Sequence, residues 1–218
     1  MNSIGKVRIL KILLIDDHAV VRAGYRRLLE SSPLNISVFE AASGEQGYLR
    51  YTEQAFDLVV MDLTLPGISG LETIRRIMQR DGMARVLVFS IHDETVFIER
   101  ALDMGARGYI SKSSAAEVLV EAVQQVVEGE VYLGPGIAER LVASSHADKC
   151  STLNALSPRE FDIFRLLAEG HTVTEIAELL SLSAKTVANY HTQIRAKLNV
   201  ASGAELARLA IRYGIVPA

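Results

Sequence analysis

Five short apolar runs, each separated from the next by a stretch of helical spacing, constrain this chain more than any other feature. The runs are 10–15, 36–40, 58–61, 86–90 and 108–111. Between them apolar residues recur at intervals of three and four, as in Val20, Val21, Leu28 and Leu29 or Leu71, Ile74, Ile77 and Met78. Strands alternating with helices predict a parallel, doubly wound sheet of five strands, an α/β fold. Runs that are nearly continuously apolar suit strands covered on both faces. In such sheets ligands are held beyond the carboxyl ends of the strands, so that edge is where chemistry is sought.

The alternation stops near Gly129. Residues 129–154 hold Gly134-Pro135-Gly136, a short helical candidate at 137–143 and a polar run at 144–149, and read as a linker. From Leu156 onward there are only helical patterns. Ser157-Pro158-Arg159-Glu160 is a capping box with proline at the first helical position, and Gly170 supplies the stop. Thr172-Val173-Thr174-Glu175 is a second box, opening a helix over 173–180. The tight turn Ser181-Leu182-Ser183 then leads into a helix over 184–198, and a fourth helix ends at Gly214. The expected organisation is an α/β domain at 10–128, a linker at 129–154 and a small all-α domain of four helices at 155–216.

Composition narrows the setting. Hydrophobic residues make up 49% of 218 positions, enough for two cores. The single cysteine, Cys150, cannot form an intrachain disulfide and reads as an inert linker thiol in a reducing compartment. Near the N-terminus Lys11 interrupts the apolar run and Asp16-Asp17 close it, which is unlike a signal peptide. No stretch reaches the roughly 20 apolar residues of a membrane span, so a cytoplasmic protein without membrane partners is expected. The net charge of −3 argues against nucleic acid only as a whole-chain figure. The segment 184–198 carries Lys185, Arg195 and Lys197 with no acid.

Charge also gathers at strand ends. Asp16 and Asp17 close the first run and Asp62 the third, so three carboxylates from distant parts of the sequence converge on one edge. Like charges about 4 Å apart repel by about 4 kcal/mol at an effective dielectric of about 20. A hard divalent cation such as Mg2+, which takes oxygen ligands and keeps waters, would relieve them. Taken alone, the same residues could equally cap the first helix and a loop. Ser90 at the end of the fourth run and Lys112 after the fifth add a hydroxyl and a cation to that edge. The set fits phosphoryl transfer to a carboxylate: Mg2+ on Asp17 and Asp62, Lys112 pairing with phosphoryl oxygens, Ser90 donating to one of them. An aspartate-nucleophile phosphatase would use a similar edge, but it would carry a second Asp where this chain has Thr64.

Asp16-Asp17-His18, the stretch from Met61 through Asp62 to Pro66-Gly67, Ser90, and Gly105 through Tyr109 to Lys112 together resemble the receiver domain of response regulators. The resemblance implies a flavodoxin-like receiver with Asp62 as phospho-acceptor, charged by a sensor histidine kinase or phosphotransfer protein. It further implies Mg2+ held by Asp17, Asp62 and the backbone carbonyl of Thr64 with Asp16 assisting, and a switch formed by Ser90 and Tyr109. A phosphoryl group would draw the Ser90 hydroxyl inward and vacate space into which Tyr109 turns. The protein would then assist its own phosphorylation without being an enzyme on external substrates.

In the segment 184–198, Val187, His191, Ile194 and Leu198 form a stripe that faces a small core, and Lys185, Ala188, Asn189 and Thr192 lie opposite. A helical hairpin of a docking bundle would show the same pattern. Leu156 through Glu160, Glu175-Ile176-Ala177, Ser183, Thr186-Val187 and Lys197-Leu198 are similar to the LuxR-type helix-turn-helix of the NarL/FixJ family. That likeness implies contacts to double-stranded DNA by Lys185, Thr186, Val187, Ala188, Asn189, Thr192 and Lys197. Lys185, Thr186 and Lys197 would meet phosphates, and Ala188, Asn189 and Thr192 would read bases. One reader offers few phosphate contacts, so two copies on a two-fold site are expected, with RNA polymerase as a partner; phosphorylation is expected either to promote a homodimer or to free the recognition helix from the receiver, and the sequence does not choose between these.

Overall fold

The computed structural model describes residues 8–144 and 151–216, so Cys150 and most of the polar run before it lie outside the described residues. In chain order the elements are β1 (Leu10–Ile15), α1 (Ala19–Glu30), β2 (Ile36–Ala41), α2 (Gly44–Glu53), β3 (Leu58–Met61) and α3 (Gly70–Arg80). Then come β4 (Val86–Ser90), α4 (Thr95–Asp103), β5 (Gly108–Ser111), α5 (Ala116–Glu128), β6 (Tyr132–Leu133) and α6 (Ile137–Ser144). The last five are α7 (Ser151–Asn154), α8 (Pro158–Ala168), α9 (Val173–Leu179), α10 (Ala184–Leu198) and α11 (Gly203–Arg212).

The sheet is parallel throughout, in the order β2-β1-β3-β4-β5-β6. The strand order reverses between β1 and β3, where Ile15 pairs with Met61, and a crevice opens beyond strand ends at such a reversal. The five expected strands are present; a sixth, β6, extends the edge by two residues paired to Gly108 and Tyr109. Those two residues fall inside the segment read as linker.

Side chains alternate between the two faces with period two. Ile12 and Leu14 of β1, Leu58 and Val60 of β3, and Leu87 and Phe89 of β4 join Leu29 of α1 and Leu119, Ala122, Val123 and Val126 of α5. Leu13, Ile15, Val59, Met61, Val86, Val88 and Tyr109 turn the other way and meet Leu71, Ile74 and Ile77 of α3 and Val96, Phe97 and Ile98 of α4. That second core does not end at the sheet and its own helices. It runs on into Phe161, Ile163 and Phe164 of α8 and Ile194 of α10, so the sheet and the helical bundle share one apolar cluster.

The junction is tied by directional contacts. Phe97 meets Phe161 edge to face, with ring centres 5.3 Å apart. The Arg100 guanidinium lies 4.2 Å from the Phe161 ring centre and donates to the carbonyls of Leu153 (2.8 Å) and Leu156 (2.6 Å). Arg159 of α8 reaches back, donating to the carbonyl of Gly67 (2.6 Å) in the β3–α3 loop and to that of Leu180 (2.8 Å) in its own bundle. Asp162, also on α8, is buried at this junction against Ser69, with Arg165, Arg159 and Arg100 around it. Burial pushes its carboxyl up from 3.8 to about 6, against the pull of Ser69 and the three guanidiniums.

A carboxyl that ionises less readily when docked favours docking at low pH, and the preference is lost as pH rises through the docked value. Lowering pH from 7 to 5 is therefore expected to favour the docked arrangement about tenfold, by linkage across that window. Amide protection factors in α8, normalised for intrinsic exchange, check this. Asp162→Asn is expected to abolish the dependence, and a parent whose protection is flat over that range would contradict it.

Candidate functional site

The loops after β1 and β3 deliver the carboxylates. A Cβ at Gly70 would collide with the Asp62 carbonyl oxygen and Leu63, so glycine lets the first turn of α3 press against the end of β3. Gly67 takes φ +73°, the left-handed conformation expected of the Leu65-Pro66-Gly67 turn. The turn is braced from inside its own domain as well: Glu45 accepts from the Ile68 amide at 2.9 Å.

Asp16, Asp17 and Asp62 do converge, and Asp16 and Asp62 are almost wholly buried. The Lys112 ammonium sits between those two, 2.6 Å from an oxygen of each. Burial opposes its charge, but the hydrogen bonds to Asp16 and Asp62 outweigh that and hold the Lys112 pKa above the ordinary lysine range. Burial pushes Asp62 up, and the hydrogen bonds from Lys112 and the Thr64 amide (3.2 Å) offset this only in part. Three carboxylates thus face one cation.

Asp16 also plays the capping part: its other oxygen accepts from the His18 amide at 2.8 Å, just before α1. Asp17 is different. His18 Nδ1 lies 2.8 Å from Asp17 Oδ1, but not along a hydrogen-bond direction, and that oxygen is buried without a hydrogen bond. Asp16, Asp17, His18 and Asp62 each present a ligand atom within 4.8 Å of the others. The three carboxylates of this set, one with a buried oxygen that lacks a hydrogen bond, suit a hard divalent cation. Sequence reasoning saw His18 only as part of a motif; its position next to Asp17 was the available signal.

Ser90 is fully buried one strand away, and its hydroxyl oxygen accepts from the His92 amide at 3.3 Å. Tyr109 is also fully buried, and its hydroxyl donates to the His92 carbonyl at 2.7 Å. Burial raises the Tyr109 phenol far above the ordinary tyrosine range, so it stays a donor. The expected inward turn of Tyr109 has no distance left to travel in this conformation. Sequence reasoning passed over His92, on which Ser90 and Tyr109 converge.

In the bundle, Lys185, Ala188, Asn189 and Thr192 lie exposed along one face of α10, at the spacing of successive turns. Thr186 is half-buried with its hydroxyl 2.8 Å from that of the cap residue Ser183. One expected contact needs correction: Val187 is 0% exposed, packed in the core with Ile194 and Leu198, and cannot reach a groove from there. Lys197 is exposed and pairs at 2.6 Å with Glu160, which also closes the α8 capping box. Burial, which would raise Glu160, is outweighed by Lys197 and Ser157, and its carboxyl stays below the ordinary range. Among the described residues no helix is long and apolar enough to cross a membrane.

The protein-family model of the response regulator receiver domain matches residues 12–124, and that of bacterial regulatory proteins of the luxR family matches residues 154–210. The transcriptional activator protein ExaE of Pseudomonas putida is 43% identical over 208 residues, covering 94% of this chain and 97% of that protein. The response regulator UvrY of Escherichia coli K12 is 37% identical over 208 residues, covering 94% and 95%. RcsB of Salmonella enterica serovar Typhimurium, solved bound to promoter rprA in the presence of the phosphomimetic BeF3−, superposes with a TM-score of 0.66 at 25% identity, covering 92% of this chain and 98% of that one.

Removing Lys112 leaves buried carboxylates facing one another. Lys112→Met is expected to lower stability at pH 7 by about 3 kcal/mol, the scale of a broken buried ion pair. The deficit is expected to shrink on acidification, because protonation of Asp62 relieves the repulsion. Thermal unfolding at pH 7 and pH 5 measures it; equal losses at both would contradict the role given to this cation.

Proposed function

Because this chain belongs to the two-component response regulators of the NarL/FixJ family, which join a receiver domain to a LuxR-type DNA reader and regulate transcription, we propose that Asp62 is its phospho-acceptor and that phosphorylation repositions the reader on DNA. The observation that carries this reading is the buried cluster at the β1–β3 reversal, where Lys112 holds Asp16 and Asp62 while an oxygen of Asp17 lacks a hydrogen bond.

Asp17 and Asp62 would hold Mg2+ together with the Thr64 carbonyl, with Asp16 kept in place by Lys112. When bound, the ion supplies neutralisation of charge developing on the transferred group. An oxygen of Asp62 forms the new P–O bond as the P–N bond of a phosphohistidine breaks, and the imidazole of the donor leaves with the electron pair. Lys112 then exchanges a carboxylate partner for a phosphoryl oxygen, and the Ser90 hydroxyl has a new acceptor beside it. The donor is a sensor histidine kinase or a phosphotransfer protein.

The reader half uses Lys185 for phosphate and Ala188, Asn189 and Thr192 for base edges, these four being exposed on one helix face. Since that face is already open in the docked arrangement, uncovering α10 is not what the switch must accomplish. One reader offers few phosphate contacts, so two copies on a two-fold site are needed for specific affinity, and freeing the reader from α3 and α4 lets two of them take up that spacing. RNA polymerase is the partner downstream, and the cytoplasm is the compartment.

Incubation with a small phosphoryl donor and Mg2+, followed by mass spectrometry, is expected to place the label on Asp62, and omission of Mg2+ to suppress it. Genome-wide footprinting of Asp62→Ala is expected to lose phosphate-dependent occupancy in a protein that still folds. Footprints identical to the parent's would contradict the assignment.

A further inference from the structure

His92 follows Ser90 by two residues and stands between the acceptor site and the reader. Its imidazole Nε2 lies 3.1 Å from the Thr64 hydroxyl oxygen. Its backbone amide bonds the Ser90 hydroxyl, and its carbonyl accepts from Tyr109. On the opposite side the ring stacks flat on Phe97, with centres 4.2 Å apart and planes 8° from parallel. Phe97 in turn meets Phe161 of α8. A small cavity of about 30 Å³ at the junction is bounded by Thr64, Ser69, His92 and Phe97 on one side and by Asp162 and Arg165 on the other.

We propose that His92 is the positioning residue through which the state of Asp62 sets the docking of the reader, because it shares the Thr64 and Ser90 hydroxyls with any phosphoryl group that Asp62 carries. The proposal rests on the acceptor reading given above. Thr64 and Ser90 flank Asp62, and in the docked arrangement both hydroxyls are engaged with His92. A phosphoryl group brings three strong acceptor oxygens to the same place. Each hydroxyl that turns to it withdraws one tie from His92, the first from the ring and the second from the amide. The imidazole then keeps only Glu94, 3.6 Å from its Nδ1, to hold it against Phe97, and the Phe97–Phe161 contact loses part of its backing. A group can shift an equilibrium only through contacts that differ between the two states. The shared hydroxyls are such contacts, which makes this more than spatial intermediacy.

Amide exchange in α8 of the full-length chain, with and without beryllofluoride and Mg2+, tests the coupling. In the parent the phosphoryl mimic is expected to raise exchange. His92→Phe keeps a ring to stack on Phe97 but cannot bond Thr64. It is expected to exchange faster at rest than the parent, to take the phosphoryl label on Asp62, and to show a smaller rise, since only the amide tie to Ser90 is left to withdraw. His92→Gln restores a hydrogen bond to Thr64 without the stack. It is expected to exchange faster at rest and to regain part of the response. A full rise in His92→Phe, or a His92→Gln variant without response, would overturn the proposal. A parent that is labelled on Asp62 yet shows no rise overturns it while leaving the acceptor assignment standing. A parent that takes no label on Asp62 removes both.

Discussion

The ammonium of Lys112, held between Asp16 and Asp62, is what allows the rest of this structure to exist in its observed form. The chain brings three carboxylates to neighbouring strand ends, two of them almost without solvent, and buried like charges in such proximity are unfavourable unless a cation stands among them. One lysine is enough to hold the cluster but not to neutralise it. The remaining negative charge, and the oxygen of Asp17 without a hydrogen bond, make the site receptive to a divalent cation and, with it, to a phosphoryl group. Stability and reactivity therefore share one origin, the residual charge at the β1–β3 reversal.

The second constraint is the continuity of the core. The face of the sheet that carries Tyr109 is covered by α3 and α4, and those helices are in turn met by α8, so one apolar cluster runs from the sheet into the helical bundle. Arg100 and Arg159 stitch the junction from opposite sides through hydrogen bonds to backbone carbonyls. These charge-assisted bonds give the contact direction, and their attraction is added to that of the aromatic pair Phe97 and Phe161. The β3–α3 loop touches the reader directly through Gly67, and the β4–α4 loop reaches it through His92 stacked on Phe97, which meets Phe161. A change at Asp62 has a short route to the junction, through the Gly67 carbonyl or through His92 and Phe97.

Much of this was legible in the sequence, for reasons that are local. Strand runs and capping boxes are written in consecutive residues, so β1 to β5 and the ends of α8 and α9 could be read directly, and strand ends placed Asp16, Asp17, Asp62 and Lys112 on one edge. β6 escaped because two residues beside Gly134-Pro135-Gly136 carry no periodicity of their own and pair only because β5 offers a free edge. The partnership of Lys197 with Glu160 spans 37 residues and is set by how α10 crosses α8. Val187 was assigned to both the core stripe and the DNA face; packing admits only the first. Arg100, Asp162 and His92 had no sequence signal at all, since their importance comes from a docking geometry that no spacing rule contains.

The central claim is that the acceptor site and the docked junction are two ends of one equilibrium, and coupling of that kind is reciprocal. The most direct measurement is the affinity of the full-length chain for beryllofluoride with Mg2+, compared with that of Arg100→Met, which loses both carbonyl hydrogen bonds across the junction while the acceptor site is untouched. Tighter binding in Arg100→Met is the expected result, because the phosphoryl mimic no longer has to work against docking. Equal affinities would contradict the claim.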